Sequence, residues 1–158
     1  MSEQEFEKLL DRYMFQVFLF TCPAFIPFNF ARHSWFVINR KGVISRWEVN
    51  FLEQKGEKAW RHLNLDLLLP TKGIGILPYV TAVRWKSKLI GSIEGGEDSL
   101  ADYMSAFIQN SPAAYPFSQT YRALGPNSNT YAQWILHKFP ESRMHLPWNA
   151  VGKNAKES

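Results

Sequence analysis

Three side chains in this sequence stand where local structure could aim them at a substrate: His33 at the start of a strand-like run, Glu48 in the second arm of a hairpin, and Ser128 at a helix start. Ser128 lies in Gly125-Pro126-Asn127-Ser128-Asn129-Thr130, where a Gly-Pro break is followed by four residues able to cap a helix. Tyr131, Trp134, Ile135 and Phe139 then fall on one face of that helix. A helix needs only one such cap. The surplus polar groups would crowd an end where free N–H groups and the helix dipole favour negative charge, as in anion sites and oxyanion holes. The competing reading is an elaborate cap that ties a loop to the sheet, because Asn and Ser are common before any helix.

Alternation puts Trp35 and Val37 on the face of His33. If a two-residue turn pairs Arg40 with Val43, Arg46 and Glu48 join that face, and a slip of one residue moves them to the other. Glu48 is therefore an orienter of His33 in one register only. Asn127, Asn129, Thr130 and Trp35 are the candidate ligand contacts around a His33/Ser128 cleft, with the catalytic candidates being His33, Ser128 and Glu48. Cys22 is a weaker candidate nucleophile: it follows an apolar strand with no helix start nearby, and single cysteines commonly serve as small buried groups.

The elements that must position these groups follow from periodicity and punctuation. Residues 3–12 read as a short polar helix, 13–20 as an aromatic and β-branched strand, and 33–39 with 43–49 as a hairpin turned at Arg40-Lys41-Gly42. Residues 80–85 and 89–93 read as short strands ended by Gly95-Gly96. Asp98 or Ser99 caps a helix carrying Leu100, Tyr103, Met104 and Phe107, which Ser111-Pro112 stops. Residues 117–124 read as a strand, 128–139 as the final helix, and 146–153 as an irregular cover. Residues 51–78 have mixed signals and are not assigned.

The chain has 158 residues, 46% of them hydrophobic and 15% aromatic, enough for one substantial core. The expected organisation is a single α+β domain over 1–152, an antiparallel sheet with a few packed helices, and a mobile polar tail at 153–158. A lone Cys22 excludes an intrachain disulfide and a cysteine-rich zinc site. His62, His137 and His145 are scattered and no phosphate-binding glycine loop is present, so no metal and no cofactor are implied. Glu3, Glu5 and Glu7 oppose a secretory signal, and residues 14–30 are too short and too interrupted to span a membrane; a cytoplasmic location is expected. The net charge of +4 is too modest to imply nucleic acid, and the alternating Arg84-Trp85-Lys86-Ser87-Lys88 reads as an exposed strand.

Two resemblances extend this reading. His33-Ser34-Trp35-Phe36-Val37, Arg46-Trp47-Glu48-Val49, Tyr115-Pro116-Phe117, Tyr121-Arg122, Gly125 to Thr130 and Leu146 to Lys153 resemble a bacterial family of domains of unknown function with a Gly-Pro-Asn-Ser-Asn-Thr signature. More remotely, the chain is similar to circularly permuted papain-like domains, including NlpC-type peptidases and lecithin:retinol acyltransferases. In these a histidine on an early strand meets a cysteine at the start of a later helix. The resemblance implies a papain-like fold, His33 as the base and Ser128 in the place of the cysteine.

That exchange changes the chemistry. A thiol near a helix start ionises readily, whereas a hydroxyl needs an aligned base to take its proton during attack. The expected function is thus a catalytically silent or weakly active papain-like relative that binds a peptide, lipid or acyl-bearing ligand. The alternative is a serine amidase, esterase or acyltransferase with Ser128 as nucleophile.

Overall fold

The computed structural model describes residues 1–156. A five-stranded antiparallel sheet has the order β4-β3-β2-β1-β7, formed by β1 (Phe15–Pro23), β2 (Arg32–Arg40), β3 (Val43–Gln54), β4 (Ala59–Leu65) and β7 (Lys88–Gly95). A separate hairpin of β5 (Lys72–Leu77) and β6 (Val80–Lys86) forms a second sheet. The helices are α1 (Glu3–Glu7), α2 (Leu100–Gln109) and α3 (Ser128–Lys138). The fold is α+β, as the alternation and helix-capping signals indicate.

β1 sits between β2 and β7 and is buried from Phe15 through Cys22. This explains why its sequence is almost continuously apolar: both of its faces are covered. Val17, Leu19, Phe36, Ile38, Trp47 and Val49 point to one face, where they pack with Met104 and Ile108 of α2 and Tyr131 and Ile135 of α3. Phe18, Phe20, Cys22, Trp35 and Val37 point to the other, where Phe6 of α1 and Ile74 of β5 cover them.

Arg40 pairs with Val43, which leaves Lys41 and Gly42 as a two-residue turn with both φ values positive, at 51° and 92°. Such a turn matches the twist of the two strands, and glycine at its second position avoids the Cβ penalty. Asn39 Oδ1 accepts from Gly42 N at 2.7 Å and fastens the turn. The register that puts Arg46 and Glu48 on the face of His33 is the one formed.

Ser99 caps α2 through Asp102 N, and Asn127 caps α3. The segment expected as a strand at 117–124 is instead a run of turns. Its apolar composition serves a different purpose: Tyr121 packs beside His62 and Phe51, while one backbone bond, His62 N to Ser118 O at 3.1 Å, joins it to β4. The helix at the N-terminus is shorter than expected, ending at Glu7. Residues 146–153 form the irregular cover; of the tail expected at 153–158, residues 153–156 are described, with Lys153 Nζ donating to Pro147 O at 3.1 Å and Ala155 N to Gly152 O at 3.1 Å, and 157–158 lie outside the described residues.

Candidate functional site

His33 enters the site from the first positions of β2 and lies directly opposite Cys22 on β1. Its Nε2 is 2.9 Å from Glu48 Oε2. Glu48 is completely buried, so its carboxylate must be neutralised locally. Arg46, two residues earlier on the same face of β3, supplies the charge: Nη2 donates to Oε2 at 2.8 Å and Nε lies 2.8 Å from Oε1. The second approach has poor hydrogen-bonding alignment and acts as a Coulombic contact.

Arg46 is in turn enclosed. Its guanidinium donates to the carbonyls of Leu69, at 2.8 Å, and Lys72. The Trp35 ring lies 4.2 Å from the guanidinium carbon, a cation–π contact strengthened by the absence of solvent. Burial raises the cost of ionising the Glu48 carboxyl, but the charge of Arg46 and the bond to His33 together outweigh it and hold the carboxyl down at about 2. A carboxylate can only accept, so His33 Nε2 donates to Glu48. Burial pushes the Cys22 thiol up to about 12, which removes it as a thiolate nucleophile.

The start of α3 arrives from the opposite side. Asn127 Oδ1 accepts from Asn129 N at 3.0 Å and Thr130 N at 3.3 Å, while Thr130 Oγ1 accepts from Asn127 N at 2.9 Å. These bonds complete a capping box. Three side-chain donors hold neighbouring chain. Asn127 Nδ2 and Asn129 Nδ2 both donate to Val151 O, Asn129 Nδ2 also donates to Arg32 O at 2.7 Å, and Thr130 Oγ1 donates to Gly152 O at 2.7 Å. The bond to Arg32 O brings the helix start to the residue preceding His33.

Gly152 completes this clasp, with φ at +88° and a position where a Cβ would stand 2.4 Å from Asn127 Nδ2. Ser128 differs from its three polar neighbours: its hydroxyl takes no part in the capping box or the clasp. Among the described residues it has no hydrogen bond to the His33 ring.

A cavity of about 480 Å³ brings the two sides together, with His33 and Ser128 both in its wall. Its remaining surface is mainly apolar and comes from three places: Phe25 to Ala31 after β1, Phe51 of β3 with Ile74 of β5, and Tyr121 to Leu124 before α3. Asn127 and Asn129 also border it; the Asn127 amide and Asn129 Nδ2 are engaged with backbone, whereas Asn129 Oδ1 is buried with no hydrogen-bond partner among the described residues. Thr130 is buried in the clasp. Trp35 is fully buried, stacked on Phe20 at 5.7 Å and over Arg46, apart from the cavity wall.

Sequence reasoning set Arg46 on the correct face without giving it a role. The signal was available, since a carboxylate on an inward face two residues from an arginine requires such a partner. The aromatic walls had no comparable signal.

The family model described as "Protein of unknown function (DUF3750)" matches residues 13–155. No curated protein and no solved structure matches the chain.

Proposed function

Since the chain belongs to the DUF3750 family of unknown function, we propose from its site alone that it binds an acyl-bearing or similarly apolar ligand, with the ligand's polar end at His33 and Ser128. The observation that carries this reading is the mainly apolar cavity of about 480 Å³, into whose wall both residues are set. Ligand sites commonly pair an apolar body with a few convergent polar groups. Glu48 and Arg46 orient His33 rather than touch the ligand, and Asn127, Asn129 and Thr130 hold the helix start in place.

A papain-like ancestry accounts for a strand histidine and a helix-start residue meeting at one cleft, with serine where a thiol would be. Retention of ligand without efficient turnover is the expected behaviour. His33 projects on the sheet face covered by β5–β6, whereas α3 packs on the opposite face, so the two approach each other around the end of β2. That geometry suits joint contact with a ligand better than direct proton transfer between them, which needs hydrogen-bonding reach.

The second reading, a serine amidase, esterase or acyltransferase, draws on one observation: Ser128 alone among the four polar residues of the helix start has its hydroxyl outside the clasp. Ser128 would attack, His33 Nδ1 of the neutral ring would take the proton, and the Ser128 N–H, which the capping box leaves free, would receive the oxyanion.

Titration with a dansylated fatty acid below its micellar concentration tests the first reading. Saturable binding that Ala123→Trp weakens by narrowing the cavity is expected, without consumption of a matching ester. Absence of saturable binding overturns ligand capture. Multiple-turnover ester hydrolysis that Ser128→Ala abolishes, with a serine-directed phosphonate adduct mapped to Ser128, replaces the first reading by the second.

A further inference from the structure

The two ends of the five-stranded sheet carry different surfaces. At one end Phe15 pairs with Arg40 and Gly95, and Glu94, Glu97, Asp98 and Asp102 gather nearby. Arg40 pairs with Asp102 at 3.0 Å, and Lys41 pairs with Glu97. At the other end, where Pro23 pairs with Arg32, the cavity opens.

Four segments reach that opening: 24–32, the β5–β6 turn at 77–80, 120–130 and 147–156. They contain Arg32, Arg122, Lys153 and Lys156, and no Asp or Glu. The β3–β4 turn reaches the same end with mixed charge, its Glu53 lying 3.5 Å from Arg61.

The same segments expose large apolar side chains. Phe28 is 57% exposed, Phe30 67%, Tyr79 76%, Leu124 80% and Trp148 90%. They are neighbours in space. Phe28 and Phe30 have ring centroids 6.4 Å apart, Asn149 Nδ2 donates to Phe30 O at 2.7 Å beside Trp148, and Tyr79 meets the cavity residue Phe51 at 5.6 Å. Leu124 lines the cavity directly. Contiguous exposed apolar residues of this kind mark an interaction surface.

We infer that this rim docks on an anionic lipid bilayer. Trp and Tyr settle at the headgroup level, Phe and Leu enter the acyl boundary, and cations of one sign are drawn to anionic headgroups. An apolar cavity opening within the patch lets an acyl chain pass from bilayer to protein without crossing water, which a protein partner would not require. No helix of the described residues is long and apolar enough to cross a membrane. The inference rests on the acyl-binding reading and identifies the source of the ligand.

Cosedimentation of the full chain with phosphatidylcholine vesicles, with and without phosphatidylglycerol, tests it, followed by tryptophan emission. Binding to the phosphatidylglycerol vesicles, weakened by salt, with a blue shift from Trp148 is expected. The double variant Trp148→Ala/Arg122→Glu loses about tenfold or more in vesicle affinity. Tyr13→Ala, which removes an exposed aromatic at the opposite end, leaves binding unchanged, and unfolding midpoints confirm that each variant folds. The inference is overturned if the chain stays in the supernatant with both vesicle types, as a rim built for a protein partner would make it. Equal binding to uncharged vesicles, or equal loss with Tyr13→Ala, also overturns it. The dansylated fatty acid separates the two proposals. Fatty-acid binding without vesicle binding rejects the docking surface alone, and vesicle binding through Trp148 without fatty-acid binding rejects the cavity reading alone.

Discussion

On the face of the sheet under α2 and α3, Phe36, Ile38, Trp47 and Val49 meet Met104, Ile108, Tyr131 and Ile135 in a mainly apolar layer. On the face under the β5–β6 hairpin, Trp35 and Val37 share the layer with His33, Arg46 and Glu48, all buried. The first face uses an interaction that depends on shape and area. The second uses one that depends on complete pairing, because a buried charge is tolerated only while its partner remains. The same strands, β2 and β3, build both faces. The contrast therefore comes from which side chains alternate outward, not from a different backbone.

The largest expected effect breaks the charged face. Arg46→Ala leaves the Glu48 carboxylate buried with only His33, and equilibrium urea unfolding should show a loss of about 3–5 kcal/mol. Replacing both partners, as in Arg46→Met/Glu48→Leu, should recover much of that loss. A double variant as unstable as the single one would show that shape, not charge pairing, governs this face.

On the helix face, Ile135→Ala should cost about 2–5 kcal/mol through lost burial and the cavity left behind. Acid then distinguishes the faces. The Glu48 carboxyl is held below its ordinary value of 4.5, at about 2 in the folded chain. Its contribution is complete above the unfolded value and is lost as pH falls from about 4.5 towards 2. Unfolding curves across that window should show Glu48→Gln losing part of the wild-type acid dependence while Ile135→Ala retains it. Parallel behaviour of the two variants would contradict the pairing described here.

The smallest effects concern the start of α3. Asn127→Ala removes the cap and should cost about 0.5–2 kcal/mol, whereas Ser128→Ala, outside the capping bonds, should cost less. Thermal unfolding of the pair checks this order, and reversal would make Ser128 a structural residue.

Legibility in the sequence followed the range of the interactions. The β2–β3 turn, the Ser99 cap and the span of α3 depend on residues a few positions apart, and each could be read locally. The pairing of His33 with Glu48 was readable once the turn fixed the register. Residues 51–78 were not, because the Leu63–Leu69 alternation runs past the end of β4 at Leu65 into a turn where Asp66 has φ of 53°. Residues 117–124 have strand-like composition but lack a strand's ladder of partners. The cavity walls come from residues as far apart in the chain as Ala24 and Val151, so no local pattern announces them.

The clasp at the start of α3 also sets a boundary for any shortened form of this protein. Val151 and Gly152 contribute only carbonyl oxygens to it, yet Asn127, Asn129 and Thr130 all depend on them. A fragment cut before Val151 would keep His33, Ser128 and the aromatic walls of the cleft and lose the frame that orients its helix. One cut after Lys153 would keep both, so a difference of three residues separates a fragment with an organised cleft from one carrying the same side chains without their arrangement.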